Sequence, residues 1–281
     1  MIDIERRDVL AGLASSAVIA STTTGTAQSV PAGGSFTGKT VIVTGGTSGI
    51  GRATVQAFAA AGARVAFNGR REALGREVEA LVRAAGGEAT YVRSDVRVAD
   101  DMQRFVAATV ERYGGLDVAF NNAGIDYPPA PIADTTIESY DDLVATNLRG
   151  VFLAMKYELP HLVRSRGAII NMASIGGRHA FPNIAGYSVS KAGVIHLTRT
   201  AAQEYGKSVR INAIAPGAVE TPMLERVRRD WKVTTEQLVA PYPMQRAGTP
   251  AEIAAVVMWL TGAEASYVSG QVIGIDGGDL P

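Results

Sequence analysis

Short apolar runs alternate with longer amphipathic segments along most of the chain. From Lys39 onward, runs rich in β-branched residues are each followed by a segment in which apolar residues recur at helical spacing. This alternation is typical of strand–helix–strand units and a parallel sheet. It predicts an α/β fold, a doubly wound sheet of seven parallel strands with helices on both faces. The predicted strands are residues 41–44, 64–68, 89–93, 118–121, 168–171, 210–215 and 272–275.

Helices are predicted between the strands, and local signals mark several of their ends. A glycine follows each of the first three predicted helices, as expected for a C-terminal cap. Thr249 and Glu252 form a capping-box pattern with proline at the first helical position. Thr135 and Glu138 predict a second capping box. The predicted helices include residues 49–61, 72–85, 98–113 and 148–164.

Composition favours one large globular domain and excludes several classes of protein. The chain has 281 residues, and 47% are apolar, which is enough to bury a sizeable core. Lys and Arg total 27 and balance 27 Asp and Glu, so no long-range field favours nucleic-acid binding. The absence of Cys excludes disulfides and a thiolate nucleophile. His161, His179 and His196 show no metal-ligand spacing, so no metal site is expected, although His179 is a candidate cleft residue.

Residues 1–35 form a leader that differs in composition from residues 36–281, which we expect to be a single catalytic domain. Residues 9–38 contain no Asp, Glu, Lys or Arg. Arg6 and Arg7 precede a mildly apolar run followed by small residues, the pattern of a twin-arginine export signal. The apolar run is too short to span a bilayer. A disordered extension and a start codon placed too far upstream are the alternatives, so both a cytoplasmic and a periplasmic location stay open.

A glycine-rich turn lies where the first predicted strand passes into the first predicted helix. Glycines there let the backbone approach a pyrophosphate, whose charge the free amides and the helix dipole stabilise. A tight strand–helix connection without a ligand is the alternative. No Gly-Lys-Ser/Thr follows, which excludes a nucleoside-triphosphate P-loop. The candidate cofactor-binding residues of this turn are Gly45, Thr47, Ser48, Gly49, Ile50 and Gly51.

A second set of polar residues identifies a resemblance. Tyr187 and Lys191 form a Tyr-x-x-x-Lys pattern at a helix start, so their side chains share one helix face. Ser174 lies thirteen residues before Tyr187, and Asn147 begins the predicted helix that precedes the fifth strand. In order and spacing, these motifs resemble the short-chain dehydrogenase/reductase family over residues 38–278. The other residues that carry the resemblance are Gly45, Gly49, Gly51, Asn121, Asn122, Ala123, Gly124, Pro216 and Gly217.

The residues themselves indicate how such an enzyme would work. Moving a hydride between nicotinamide and a carbonyl requires a group that gives a proton to the substrate oxygen or removes one. A free tyrosine has a pKa of about 10, and an adjacent ammonium lowers it. Lys191 is expected to lower the pKa of Tyr187 in this way. Ser174 is expected to hydrogen-bond the substrate oxygen and hold it against Tyr187.

The resemblance implies further properties. It implies a Rossmann-like fold, a homo-oligomer (dimer or tetramer) and NAD(P)-dependent oxidation and reduction of CH–OH and C=O groups. It also implies that Lys191 contacts the nicotinamide ribose, that Asn147 organises a water chain toward Lys191, and that Thr221 touches the cofactor carboxamide. Asp95 would lie at the adenine ring, with a helix N-terminal acid as the alternative. The other cofactor-binding residues implied are Val96, Asn122, Ala123, Gly124, Tyr187, Pro216, Gly217 and Val219.

The end of the second strand predicts which dinucleotide is used. NAD-using relatives carry Asp where this chain has Gly69, and such an acid binds the ribose 2′-hydroxyl and repels a 2′-phosphate. Arg70 follows, and a guanidinium suits a phosphate in charge and geometry. NADP(H) is therefore the preferred cofactor and NAD(H) a possible one. Arg70 is predicted to be the main residue that binds the 2′-phosphate, and Arg71 a second one. The alternative is that both arginines are solvated residues at a helix entry.

The function that the sequence favours is a reversible, NADPH-dependent reduction of a ketone to a secondary alcohol. Its catalytic residues are Ser174, Tyr187, Lys191 and Asn147. An NAD-preferring alcohol dehydrogenase that works oxidatively and a non-catalytic nucleotide-sensing protein are the alternatives. The presence of both Tyr187 and Lys191 favours an enzyme.

The sequence indicates less about which substrate the protein binds. Residues 219–247 form a candidate lid over the carboxyl ends of the strands, where ligands of open α/β sheets bind. Their apolar side chains indicate either a moderately apolar substrate or packing of the lid onto the core. Pro160 and Gln203 stand where the related acyl-carrier-protein ketoreductase has docking arginines, which argues against that role.

Overall fold

A seven-stranded sheet runs through the part of the chain that the computed structural model describes, residues 36–278. The strand order is β3-β2-β1-β4-β5-β6-β7, and every neighbouring pair is parallel. The predicted doubly wound α/β class is confirmed. Arg6, Arg7 and the rest of the leader lie outside the described residues. The strands are β1 (Thr40–Val43), β2 (Arg64–Gly69), β3 (Glu88–Arg93), β4 (Val118–Asn121), β5 (Ala168–Met172), β6 (Arg210–Pro216) and β7 (Val272–Ile275).

Helices cover both faces of this sheet. Strand side chains alternate between the faces, so Ile42 of β1 packs with α3, α5 and α6, whereas Val41 and Val43 pack with α1, α2 and α9. No helix within residues 36–278 is long and apolar enough to cross a membrane. The helices are α1 (Gly49–Ala60), α2 (Glu72–Ala84), α3 (Ala99–Tyr113), α4 (Ile137–Val144), α5 (Gly150–Ser165), α6 (Ala185–Tyr205), α7 (Pro222–Trp231), α8 (Thr235–Val239) and α9 (Pro250–Thr261).

The strand order changes direction between β1 and β4, and this position fixes where a ligand can enter. The chain builds outward from β1 to β3, then returns to add β4 on the other side of β1. The loops after β1 and β4 therefore diverge and leave a crevice at the carboxyl edge of the sheet. The glycine-rich turn follows β1, and residues 122–124 follow β4, so both sequence motifs lie at this crevice.

Helix α4 and the way it joins α5 differ from the sequence prediction. The π-turn Ala145–Arg149 connects the two helices directly, and Asn147 lies inside it and not at a helix start. The N-cap of α4 is Thr136, whose Oγ1 accepts a hydrogen bond from the Ser139 amide. The predicted box of Thr135 and Glu138 is therefore wrong, because the Thr135 hydroxyl instead donates to the Pro131 carbonyl. The box of Thr249 and Glu252 is confirmed.

A chain of polar side chains crosses the core beneath α5. Asn121 Nδ2 donates to Glu158 Oε2 (3.1 Å) and to Asn171 Oδ1 (3.0 Å), and Asn171 Nδ2 donates to Thr198 Oγ1 (2.9 Å). Glu158 is completely buried, and no ion pair to it occurs among residues 36–278. Burial raises the pKa of Glu158 to about 7, although the hydrogen bond from Asn121 opposes the rise.

Candidate active site

Ser174 and Tyr187 meet at the carboxyl end of β5. Ser174 follows the strand by two residues and is buried, and Tyr187 lies in the first turn of α6. The Ser174 hydroxyl lies close enough to the phenol to lower the pKa of Tyr187, against the effect of burial. The tight segment between them is packed closely, since a Cβ added at Gly176 would lie 3.4 Å from Tyr187 Cε1 and 3.6 Å from Ser174 Oγ. The structure thus brings together two of the residues predicted to act on the substrate oxygen.

Lys191 lies one helical turn after Tyr187 and is also buried. Its Nζ lies 5.8 Å from the centroid of the Tyr187 ring and donates a 2.9 Å hydrogen bond to the Met172 carbonyl. Burial lowers the pKa of Lys191 to about 8, because a charged ammonium is poorly solvated there. Lys191 is therefore able to exchange a proton near neutral pH.

The pKa of Tyr187 differs from the expectation. It is raised above the ordinary value, first because the phenol is buried and further because the Asp126 carboxylate is near; the hydrogen bond with Ser174 acts in the opposite direction. The expected lowering by Lys191 is not found; its Nζ lies 5.8 Å from the ring centroid and donates to the Met172 carbonyl. Tyr187 therefore holds its proton at neutral pH and is arranged to donate it.

Asn147 fixes the loop that follows β4. Its Oδ1 accepts a hydrogen bond from the Ile125 amide (2.8 Å), and its Nδ2 donates to the Ile125 carbonyl (3.0 Å) and to Ser190 Oγ (3.2 Å). A Cβ added at Gly124 would lie 3.3 Å from Asn147 Oδ1 and 3.4 Å from Lys191 Nζ. Asn147 thus lies near Lys191, as predicted, although its direct contacts are with the loop backbone and α6.

The glycine-rich turn and the loop after β4 are locked to each other. The Asn122 side chain donates to the Thr44 and Gly45 carbonyls (2.9 and 3.2 Å), and Thr44 Oγ1 accepts from the Asn122 and Ala123 amides (2.9 and 3.1 Å). Gly45 has a φ of +68°, and a Cβ at Gly51 would lie 2.3 Å from the Gly45 carbonyl oxygen. The turn therefore tolerates no side chain at either position.

These features fit a bound dinucleotide. The N-terminus of α1, with Ile50 in its first turn, follows directly from the turn, so its amides are available to a pyrophosphate. Thr221 caps α7, and its Cγ2 lies 3.2 Å from where a Cβ of Gly49 would be. The two segments predicted to hold opposite ends of the cofactor region are thus adjacent at the crevice.

Pro216, Gly217 and Val219 lead from β6 toward Thr221. Pro216 is the last residue of β6, the Gly217 amide donates to the Ile275 carbonyl (3.1 Å), and Val219 pairs with Gly248. These contacts attach the segment to β7 on one side and to the residues before α9 on the other. The predicted residues therefore lie on one wall of the crevice.

Asp95 is held by an arginine that the sequence reasoning missed. The Arg97 guanidinium donates to both Asp95 carboxylate oxygens and to Asp142, which also accepts from Tyr127. Burial alone would raise the pKa of Asp95, but the hydrogen bonds from Arg97 outweigh it and lower that pKa. Val96 is buried beside Gly150. No sequence signal pointed to Arg97, because its partner Asp142 is 45 positions away.

Arg70 and Arg71 separate after β2. Arg71 Nη2 donates to Ser48 Oγ (2.7 Å) and Thr47 Oγ1 (3.2 Å), so its guanidinium lies on the glycine-rich turn. Arg70 is exposed, and its charge helps to lower the pKa of Asp95. Arg71, which was predicted as the second residue to bind the 2′-phosphate, is thus the one that contacts the glycine-rich turn.

Within residues 36–278, no group of three or more His, Cys, Asp or Glu side chains is arranged to hold a metal ion. The polar side chains that the structure brings together at the carboxyl end of β5 are those of Ser174, Tyr187 and Lys191.

The chain is similar to known oxidoreductases over almost its whole described length. A family model described as enoyl-(acyl carrier protein) reductase matches residues 44–279. A 2,5-dichloro-2,5-cyclohexadiene-1,4-diol dehydrogenase of Sphingobium indicum is 41% identical over 246 residues, covering 86% of this chain and 97% of the relative. A levodione reductase of Leifsonia aquatica is 40% identical over 253 residues, covering 86% and 94%.

Solved structures agree. A crystal structure of levodione reductase superposes with a TM-score of 0.83 at 39% identity, covering 86% of this chain and 97% of that one. The Rossmann-like fold implied by the sequence is confirmed. The chain belongs to the short-chain dehydrogenase/reductase family and is an NAD(P)-dependent oxidoreductase acting on CH–OH and C=O groups.

Proposed function

We propose that the protein reduces a small ketone to a secondary alcohol with NADPH and catalyses the reverse oxidation when the alcohol is in excess. The observation that carries this proposal is the cluster of the buried Ser174 and Lys191 with the half-buried Tyr187 at the carboxyl end of β5. When bound, the nicotinamide supplies or accepts the hydride. The protein must then supply or accept a proton at the substrate oxygen.

Each residue of the cluster has a separate task. Ser174 binds the substrate oxygen and holds it beside the phenol, which reduces the entropy lost on reaching the reacting geometry. Tyr187 is protonated at neutral pH, so in the reductive direction it donates its proton to that oxygen as negative charge develops there. Lys191, with its pKa lowered to about 8, then returns a proton to Tyr187 and takes up another from solvent.

Ring compounds are the substrate class we propose. Two relatives at 40–41% identity are a cyclohexadiene-diol dehydrogenase and a levodione reductase. The apolar side chains of the lid support a small substrate, because several of them are used to pack the lid. Leu224, Val239 and Tyr242 form a cluster with Ile175, next to Ser174.

A panel of ketones and secondary alcohols tests this function. Cyclic and linear ketones are mixed with NADPH or NADH, and the alcohols with NADP or NAD, while nicotinamide absorbance is followed. We expect turnover of cyclic ketones, fastest with NADPH. Absence of turnover with every substrate and both dinucleotides would leave only the non-catalytic, nucleotide-sensing alternative.

Two arginines at the end of β2 support the preference for NADPH, because no acidic residue stands there to repel a 2′-phosphate. Gly69 ends β2, and Arg70 and Arg71 follow it. The Arg71 guanidinium donates to Ser48 and Thr47 and retains further N–H groups for a 2′-phosphate. Arg70 adds positive charge on the Asp95 side. We therefore propose that both arginines bind the 2′-phosphate and that Arg71 contributes at least as much to this binding as Arg70.

Binding measurements with single variants separate these contributions. Losing a charge-assisted hydrogen bond costs about 1.5–3 kcal/mol, so Arg71→Ala and Arg70→Ala should each weaken NADPH binding about tenfold or more while hardly changing NADH binding. Arg93→Ala, an exposed cation at the end of β3, is the control for a general change in charge. Equal losses for both dinucleotides, or an initial preference for NADH, would contradict the proposal.

A further inference from the structure

An ion pair joins the two segments that border the cleft. Arg226 Nη2 of α7 donates to Asp126 Oδ1, in the loop after β4, over 2.6 Å, although the residues are 100 positions apart. Helix α7 belongs to the candidate lid. The loop of Asp126 is the one that Asn147 fixes through the neighbouring Ile125. The pair therefore connects the lid to a wall of the cleft whose position is set by the catalytic region.

This pair lies close to the reacting groups. The charge of Asp126 contributes to the raised pKa of Tyr187, which places the carboxylate within electrostatic reach of the phenol. On the other side, Arg226 follows Thr221, the N-cap of α7, by five residues, and Thr221 is packed against the glycine-rich turn. A substrate held between the nicotinamide and Tyr187 would therefore have Asp126 and Arg226 as polar neighbours.

Neither partner has used its full hydrogen-bonding capacity. The Asp126 side chain is only 15% exposed, and its second oxygen, Oδ2, accepts no hydrogen bond from any residue among 36–278. Arg226 makes one other hydrogen bond, a 3.3 Å contact from Nη1 to the Pro222 carbonyl. A guanidinium carries five N–H donors, so several remain available. Oδ2 can therefore accept a hydrogen bond from a hydroxyl group, and Arg226 can donate one to a carbonyl.

We propose that Asp126 and Arg226 recognise a second oxygen function on the substrate, so that the enzyme prefers ring substrates that carry a hydroxyl or carbonyl group in addition to the reacting one. This inference rests on the proposed function. A hydroxyl donates to Asp126 Oδ2, and a carbonyl accepts from an Arg226 N–H. Both residues are specificity-determining and act away from the carbon that receives the hydride.

A simpler role for the ion pair makes a different prediction. If the pair only held the lid closed, breaking it would slow the reaction of every substrate by the same factor. If it recognises a second oxygen, breaking it slows only substrates that have that oxygen. The ratio of two kcat/KM values separates these cases, because any effect on lid closure or on the pKa of Tyr187 cancels in the ratio.

The test compares 4-hydroxycyclohexanone with cyclohexanone, which has the same ring and one carbonyl but no second oxygen. Steady-state kcat/KM is measured for both ketones, with the dinucleotide that the wild type uses, in the wild type, Asp126→Ala and Arg226→Met. Arg228→Gln is the matched control, because Arg228 is on the same helix and donates to Thr235, away from Asp126. Near-ultraviolet circular dichroism establishes that each variant is folded.

We expect the wild type to prefer 4-hydroxycyclohexanone by about tenfold or more, as one hydrogen bond to a charged group provides. Asp126→Ala should bring the ratio close to one, Arg226→Met should reduce it, and Arg228→Gln should leave it unchanged. A wild-type ratio near one, or equal losses for both ketones in the two variants, overturns the inference while the proposed function stands. Failure of the wild type to reduce any ketone of the panel overturns the proposed function and this inference with it.

Discussion

At the scale of single residues, the environment of Tyr187 decides its protonation state at neutral pH. Burial raises its pKa, the Asp126 carboxylate raises it further, and the hydrogen bond with Ser174 opposes both. Lys191 is close, but its ammonium contacts the face of the ring and the Met172 carbonyl. The phenol is consequently a proton donor at neutral pH, which suits reduction of a carbonyl.

Tyr187→Phe should therefore abolish most turnover while leaving dinucleotide binding nearly intact. The substitution removes the proton donor, and loss of general acid catalysis costs about 10²- to 10⁴-fold in kcat. Steady-state assays and NADPH fluorescence titration measure the two effects separately. Tyr267→Phe, at a fully exposed tyrosine, is the control. A kcat close to that of the wild type in folded Tyr187→Phe would refute the assignment of Tyr187.

At the scale of elements, the crevice depends on how closely the first turn of α1 approaches the turn before it. A Cβ at position 51 would lie 2.3 Å from the Gly45 carbonyl oxygen and 2.6 Å from Asn122 Nδ2. Neither atom is free to move, because Asn122 is hydrogen-bonded to Thr44 and Gly45. Any side chain at position 51 must displace α1 or the loop after β4.

Gly51→Ala should weaken NADPH binding by about tenfold or more and lower Tm, since overpacking a tight contact costs about 1–3 kcal/mol. Gly115→Ala is a matched control, because a Cβ there meets no atom within 4 Å and the residue has no positive φ. Fluorescence titration and thermal unfolding monitor the two variants. Unchanged affinity in Gly51→Ala would show that the dinucleotide does not depend on this approach.

The same scale shows what sequence patterns reveal and where they fail. The strand bounds were predicted within one residue, because short runs rich in β-branched and apolar residues alternate with longer segments of helical spacing. Helix α4 and its π-turn were not predicted. Asn147 bonds the backbone of Ile125 from inside that turn, and this tertiary contact has no local signal. Thr135 was predicted as the cap because Glu138 follows it by three positions, but α4 begins one residue later and Thr136 is its N-cap.

The site divides in the same way. Tyr187, Lys191 and Ser174 were recognisable because their spacing on the chain matches a known order of motifs. Arg97, Asp126 and Arg226 were not, because each acts through a partner on another element. The raised pKa of Tyr187 was missed for a related reason: the distance and direction of Lys191 set its influence, and a sequence gives neither.

At the scale of the whole molecule, Glu158 links stability to pH. Its pKa is about 7 in the folded protein because of burial, against about 4.3 for an unfolded glutamate. Between these values the folded state binds more protons than the unfolded state, so the free energy of unfolding falls as pH rises. The stabilising contribution of the neutral acid is complete below about pH 4.3 and is lost as pH rises through about 7.

Glu158→Gln should remove this dependence, because the amide has a similar shape and never ionises. The stability of the variant relative to the wild type should rise by about 3 kcal/mol between pH 4.5 and pH 8, at 1.36 kcal/mol for each pKa unit. Urea denaturation at both pH values measures it, with Glu111→Gln, at an exposed acid, as the control. A difference that is the same at both pH values would show that Glu158 is ionised in the folded protein.

The dimer or tetramer implied by the sequence stays a prediction, for which light scattering is the measurement.

The hydrogen bond from Lys191 to the Met172 carbonyl has a consequence for thermal inactivation. Met172 is the last residue of β5, and Ser174 lies two positions further along. The end of this one strand therefore carries Ser174 and also holds Lys191 through the Met172 carbonyl. Thermal fluctuations that open the lid leave this strand end in place, because β5 lies inside the sheet between β4 and β6. The spacing of serine and lysine is therefore lost only when the sheet itself separates. On heating, activity should accordingly be lost at the temperature where the sheet unfolds. The residual activity should decay with the rate constant of global unfolding.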